Sequence, residues 1–133
     1  MPENVLFVCV ENAGRSQMAE AFFRKFAPKE FHASSAGTIP STQLNPIAIQ
    51  AMREIGIDME HQKPKLLSNI MIENSSKTVN MGCMDRESCP SLFVKGVSDW
   101  NISDPKEKSL EEIRIIRDKI KSEVMNLIES LGA

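Results

Sequence analysis

A cysteine and an arginine with five residues between them form a candidate oxyanion site near the start of the chain. The segment reads Cys9-Val10-Glu11-Asn12-Ala13-Gly14-Arg15-Ser16. A loop of this size between a strand and a helix can turn its backbone N–H groups inward around an anion. The guanidinium of Arg15 suits a tetrahedral oxyanion, and Cys9 would attack its central atom. The residues expected to bind the oxyanion are Glu11, Asn12, Ala13, Gly14, Arg15 and Ser16.

The surroundings of this segment favour the functional interpretation over a buried cysteine beside a surface arginine. The positive surroundings and a hydrogen bond from Ser16 would favour the thiolate form of Cys9. Asn12 and Gly14 tolerate the left-handed backbone angles that a tight anion loop needs. An apolar run precedes the loop and a helical pattern follows it, which is the context such a loop requires.

Two more cysteines, Cys83 and Cys89, lie on one short polar segment after Gly82. Cysteines are often buried in cores, and a zinc site is a second alternative. Only two thiols are local, however, and neither His32 nor His61 has the spacing of a zinc ligand. The polar, glycine-bounded segment favours two reactive thiols that can pair. We predict no metal site and no cofactor.

Composition limits the classes of function that the chain can have. Its 133 residues suffice for one domain, which we expect to span residues 1–133, and its net charge of −2 provides no broad basic surface for nucleic acid. No apolar run approaches transmembrane length, so we expect no membrane partner. The opening Met1-Pro2-Glu3-Asn4 lacks the basic region of a signal peptide, and the odd number of cysteines suits reduced thiols. We therefore expect a cytoplasmic protein.

Strand and helix patterns alternate along the chain. The predicted strands are Val5 to Val8, Phe31 to Ser35, Thr78 to Met81 and Leu92 to Val97. The predicted helices begin near Arg15, at Asn45-Pro46, at Leu66 (through Ile72) and at Ser109, which forms a capping box with Glu112. We expect the second helix to carry Ile55 and to stop at Gly56. This alternation predicts an α/β fold with a parallel sheet, whose ligands bind beyond the carboxyl ends of the strands. Cys9 and Cys83 should therefore lie at one edge.

The loop resembles that of the low-molecular-weight protein tyrosine phosphatase superfamily. The string Asn12-Ala13-Gly14-Arg15-Ser16-Gln17-Met18-Ala19-Glu20 is more similar to the thioredoxin-coupled arsenate reductase branch, and Ser35-Ala36-Gly37 is also typical of it. The resemblance extends through Asp104-Pro105 to the final helix. It implies a four-stranded parallel sheet in the order 2-1-3-4, with helices on both faces.

The resemblance also implies a relay of three thiols. Cys9 attacks arsenate, Cys83 attacks the Cys9 sulfur and releases arsenite, and Cys89 then attacks Cys83 to free Cys9. Thioredoxin or a similar thiol reductant would reduce the Cys83–Cys89 disulfide. Asp104, before Pro105, would act as the general acid. A turn or a helix cap is the alternative role for Asp104, although Ser109 already caps the following helix.

Two residues depart from the family pattern. Glu11 places a carboxylate in the anion loop, where related reductases often have an uncharged or weakly basic side chain. Some members bind a potassium ion through an acidic side chain near the loop, but Pro64 stands where we would expect that residue, so we predict no ion.

The alternative function is a tyrosine phosphatase acting through Cys9. Its pocket normally has aromatic walls, whereas this chain has no tyrosine and has Lys106 after Asp104-Pro105. A non-catalytic oxyanion or redox sensor is a third possibility.

Overall fold

Four parallel strands form the sheet in a computed structural model that describes residues 3–81, 97–100, 102–103 and 105–131. The strands are β1 (Glu3–Cys9), β2 (Phe31–Gly37), β3 (Lys77–Asn80) and β4 (Val97–Asp99). Their order is β2-β1-β3-β4. The helices are α1 (Arg15–Phe26), α2 (Pro46–Arg53), α3 (Asn69–Glu73) and α4 (Leu110–Ser130). The predicted α/β class and the strand order 2-1-3-4 are confirmed.

The central strand β1 is covered on both faces, as its continuous apolar run predicts. Val5 and Phe7 pack into the larger hydrophobic cluster, together with side chains of α1 and α4. Leu6 and Val8 point the other way and pack against Ile72 of α3. Because β1 is fixed from both sides, the loop that follows its last residue starts from a rigid support.

Local capping signals set the start of two helices. The Asn45 side chain accepts hydrogen bonds from Ile47 N at 2.9 Å and Ala48 N at 3.2 Å, directly before α2. Ser109 and Glu112 form the predicted capping box of α4. None of the helices within the described ranges is both long and apolar enough to span a bilayer.

Two predicted helices differ from the structure. The helix expected from Leu66 begins only at Asn69, because the chain at Lys65 to Leu67 is held in an extended form by hydrogen bonds with Gly37. The second helix ends at Arg53, and Ile55 is exposed. Gly56 adopts a φ of +80° beyond the end of this helix, so the chain turns and buries Ile57 instead.

The fourth strand is observed at Val97–Asp99, which overlaps the predicted range Leu92 to Val97 at one residue. Most of that predicted range lies outside the described residues.

Candidate active site

The candidate oxyanion loop begins where β1 ends, and the chain after β2 braces it from outside. The carbonyl oxygens of Cys9, Val10, Glu11 and Ala13 accept hydrogen bonds from Thr38 N, Ile39 N, Ser41 N and Asn45 N, at 2.8–3.2 Å. In a trans peptide the C=O and the following N–H point in opposite directions. Because these carbonyls face outward, the N–H groups that follow them are turned toward the inside of the loop. This is the orientation that an anion nest requires.

Two glycines allow close contacts around the loop. A Cβ atom at Gly37 would lie 2.5 Å from the carbonyl oxygen of Val10, so only glycine lets β2 approach the loop this closely. A Cβ atom at Gly14 would lie 2.5 Å from Cγ of Pro105. Asn12 adopts a φ of 51°, the left-handed conformation that asparagine tolerates better than most residues. These positions explain why small or amide residues occur there.

The Cys9 thiol is buried and oriented by two donors. Its exposed fraction is 2%, and its Sγ lies 2.8 Å from Ser16 Oγ and accepts from Asn12 N at 3.2 Å. Asn12 Nδ2 donates to Ser16 Oγ at 2.7 Å, so this oxygen already acts as an acceptor. The Ser16 hydroxyl is then available to donate to the sulfur. Both contacts fix the position of the sulfur within the loop.

A network of buried side-chain amides holds Asn12 in place. Gln17 is fully buried, and its Nε2 donates to Asn12 Oδ1 at 2.9 Å, to Asn12 O at 3.0 Å and to Lys63 O at 2.9 Å. Gln62 Nε2 donates in turn to Gln17 Oε1 at 2.7 Å. Lys65 N also donates to Asn12 Oδ1, at 2.8 Å. The network therefore connects the segment before α3 to the asparagine that contacts both Ser16 and Cys9.

The oxygens around Asn12 already receive N–H donors. Asn12 Oδ1 and Lys63 O both accept from Gln17. Within the described ranges, no group of three or more His, Cys, Asp or Glu side chains could hold a metal ion. Burial lowers the pKa of the neighbouring Lys65 ammonium, and the Glu20 carboxylate partly offsets this effect. That the loop binds no potassium ion stays a prediction.

Arg15 lies at the wall of the same pocket as Cys9. Its guanidinium is largely buried, and Nη1 donates to the carbonyl oxygen of Ile102 at 3.2 Å. This bond connects the guanidinium to the segment that precedes Pro105. The pocket encloses about 330 Å³. Its walls are formed by the loop, by residues 41 and 43–47, and by residues 105–108.

The mouth of the pocket carries an ion pair. Lys106 Nζ lies 3.3 Å from Glu11 Oε1, and both side chains are exposed to solvent, by 62% and 38% respectively. The charge of Glu11, a residue of the loop, is therefore paired with that of Lys106 at the mouth. Pro105 is buried and lies against Gly14, so residues 105–106 contact the loop at two points.

The structure brings together the predicted loop residues Cys9, Glu11, Asn12, Ala13, Gly14, Arg15 and Ser16. The predicted Cys83, Cys89 and Asp104 lie outside the described residues. Sequence reasoning did not identify Gln17 or Gln62 as parts of the site, and it noted Lys106 only as a departure from the phosphatase pocket. Gln17 lies within the string Asn12 to Glu20 that resembles the family, and this position was the sequence signal that could have identified it as part of the site. The position of Gln62 depends on tertiary contacts, so the sequence contains no local signal for it.

A parallel sheet with a cysteine loop at the carboxyl end of its central strand defines the phosphatase-like class of anion-binding folds. The family model described as low molecular weight phosphotyrosine protein phosphatase matches residues 4–133. The chain therefore belongs to this family.

Several arsenate reductases are similar to this chain. The arsenate reductase of Staphylococcus aureus is 36% identical over 126 residues, which cover 93% of this chain and 95% of that protein. A solved arsenate reductase in the phosphate-binding state is 31% identical, with a TM-score of 0.86 and coverage of 96% and 98%. The thioredoxin-dependent arsenate reductase of Corynebacterium glutamicum is also 31% identical, with a TM-score of 0.82, and the match covers 98% of this chain and 62% of that one.

Proposed function

We propose that this protein reduces arsenate to arsenite, with its own thiols as the immediate source of electrons. The observation that carries the proposal is the Cys9 sulfur held by Ser16 and Asn12 inside an oxyanion loop. The similarity to arsenate reductases over more than nine-tenths of the chain supports arsenate as the substrate. The pocket adds a further argument, because no aromatic side chain of the described residues lines it. Such a pocket suits a small inorganic oxyanion better than an aryl phosphate.

In the first step, the Cys9 thiolate attacks arsenic while the loop N–H groups and Arg15 hold the other oxygens. An S–As bond forms, an As–O bond breaks, and the leaving oxygen departs as water after protonation. We assign this proton donation to Asp104, which precedes the buried Pro105 in the sequence. The adduct still contains As(V), so this step transfers no net electrons.

In the second step, the Cys83 thiolate attacks the Cys9 sulfur. An S–S bond forms and the S–As bond breaks, with its electron pair leaving on arsenic as arsenite. Arsenic gains two electrons and the two thiols lose them as a disulfide. Cys89 then attacks Cys83, frees Cys9 and leaves a Cys83–Cys89 disulfide.

An external dithiol must reduce that disulfide before the next cycle. We propose thioredoxin or a similar protein as this reductant, in line with the thioredoxin-dependent relative. A cycle of this kind requires a reducing compartment, so we place the protein in the cytoplasm. We further propose that residues 1–133 act as a single domain, because the family match spans residues 4–133.

Replacement of Cys89 by serine tests the relay. Cys9 and Cys83 remain in this variant, so we expect one arsenite per protein followed by a trapped Cys9–Cys83 disulfide. Cys83→Ser is the matched control and should stop earlier, without arsenite release by an internal thiol. Mass spectrometry of arsenate-treated, alkylated protein identifies the disulfides. The relay is wrong if wild type forms no Cys83–Cys89 disulfide and Cys89→Ser traps no Cys9–Cys83 disulfide.

If the protein is instead a phosphatase, the expected result for the same samples is different. Both cysteine variants would hydrolyse phosphate esters like wild type, and arsenate would never oxidise the protein. The same mass spectra therefore separate the two functions.

A further inference from the structure

The ion pair between Glu11 and Lys106 has no role in the steps described above. Glu11 belongs to the oxyanion loop, whereas Lys106 follows Pro105 on the part of the pocket wall formed by residues 105–108. The pair therefore connects two walls of the pocket. We propose that this bridge determines specificity, by admitting a small inorganic oxyanion and disfavouring phosphate esters with a bulky organic group. The inference rests on the proposed function, since it narrows the substrate class of the same site.

The geometry supports a bridge rather than two independent surface charges. Pro105 already lies against Gly14, where a Cβ atom would lie 2.5 Å from the proline ring. The bond from Lys106 to Glu11 adds a second contact between the same two walls, at 3.3 Å. An ester bound with its phosphate on the loop must direct its organic group out through this mouth. Glu11 and Lys106 both line this pocket, so an organic group that leaves on their side of it meets the bridge, whereas a free oxyanion carries no such group.

Electrostatics give Lys106 a second effect on the substrate. An unpaired Glu11 carboxylate would repel an oxyanion that approaches the loop. The pair carries no net charge, so its field falls off faster than that of a lone carboxylate. Lys106 thereby allows a carboxylate to stand in an anion-binding loop.

The exposure of the pair makes it suitable for mutation. Exposed ion pairs contribute only about 0–1 kcal/mol to stability, so variants of the pair should fold. Two double variants have the same net charge as wild type and differ in the bridge. Glu11→Gln with Lys106→Gln removes the bridge, and Glu11→Lys with Lys106→Glu rebuilds it with the charges exchanged. Lys108→Gln is the control, because Lys108 lines the same wall and is not part of the pair.

The readout is protection of Cys9 against alkylation, followed by mass spectrometry of the Cys9 peptide. Inorganic phosphate and phenyl phosphate are the two protecting ligands. The ratio of their half-protection concentrations measures selectivity and cancels the attraction that both phosphate groups share. This readout does not require turnover. A wild-type protein that fails to reduce arsenate would overturn the proposed function while the bridge is still tested.

We expect the neutral double variant to lose selectivity for inorganic phosphate by up to about 5-fold, the limit set by the strength of an exposed pair. The exchanged variant should keep the wild-type ratio, and Lys108→Gln should leave it unchanged. The inference is overturned if the neutral double variant keeps the wild-type ratio. It is also overturned if Lys108→Gln changes the ratio as much as the double variant does, or if the exchanged pair behaves like the neutral one.

Discussion

The base and the mouth of the pocket are built from different kinds of interaction. Behind Cys9 at the base, Gln17 and Asn12 are fully buried and joined by hydrogen bonds of 2.9–3.0 Å. At the mouth, Glu11 and Lys106 form an ion pair in which both side chains are exposed to solvent. A buried donor or acceptor without a partner costs free energy, whereas an exposed ion pair can break at little cost. The base is therefore suited to holding the nucleophile, and the mouth to controlling which ligand enters.

The largest effect should come from the nucleophile at the base. Cys9→Ser should abolish arsenate reduction and any phosphate ester hydrolysis, because a serine hydroxyl is far less ionised than a thiol in this loop. Turnover assays with both substrates measure this. Calorimetry with inorganic phosphate is the control and should still detect binding. Activity near that of wild type would rule out Cys9 as the nucleophile.

A smaller loss of activity, together with a loss of stability, should follow when the hydrogen bonds of Gln17 are removed. Gln17→Leu removes the side-chain donor of Asn12 O and Lys63 O, while Asn12 Oδ1 keeps its bond from Lys65 N. Buried groups that lose a partner cost about 1–3 kcal/mol, so urea unfolding should show a loss of that size. If Asn12 also shifts, the chemical step should slow by on the order of 10²-fold.

Gln43→Leu is the matched control for this change. Gln43 is exposed and lines the same pocket, so its replacement should affect stability far less. Equal losses of stability in the two variants would show that the buried network does not support the base.

The smallest change in stability and activity is expected when the ion pair at the mouth is removed. Glu11→Gln should leave the free energy of unfolding within about 1 kcal/mol of wild type, since the pair is exposed. The KM for arsenate should fall, because Lys106 no longer has the Glu11 carboxylate beside it. Added salt should reduce this gain. Steady-state kinetics at two ionic strengths provide the measurement, and an unchanged or higher KM would contradict it.

Residues with a local signal were the predictable ones. The apolar run at Val5 to Val8 predicted the central buried strand, and Asn45-Pro46 and the pair Ser109 and Glu112 predicted two helix starts. The residue types and spacing of the loop placed Cys9 and Arg15 at one pocket. In each case, adjacent residues determine the local structure, so the sequence alone was sufficient.

Features that depend on distant contacts were not predictable. The extended chain at Lys65 to Leu67 pairs with Gly37, and this pairing overrides the helical pattern that starts at Leu66. Gln17 and Gln62 are polar residues that burial would penalise, and their hydrogen bonds to each other, to Asn12 and to Lys63 make their burial acceptable. Lys106 meets Glu11 across 95 positions of sequence, and neither residue indicates its partner.

The most direct test of the proposed reductase activity follows arsenic and thiols together in the wild-type protein. Reduced thioredoxin is supplied in excess, arsenate is added, and arsenite and oxidised thioredoxin are quantified in parallel. The proposed cycle predicts catalytic turnover with one thioredoxin disulfide formed for each arsenite, since both are two-electron changes. Absence of arsenite, with steady hydrolysis of a phosphate ester by the same preparation, would contradict it.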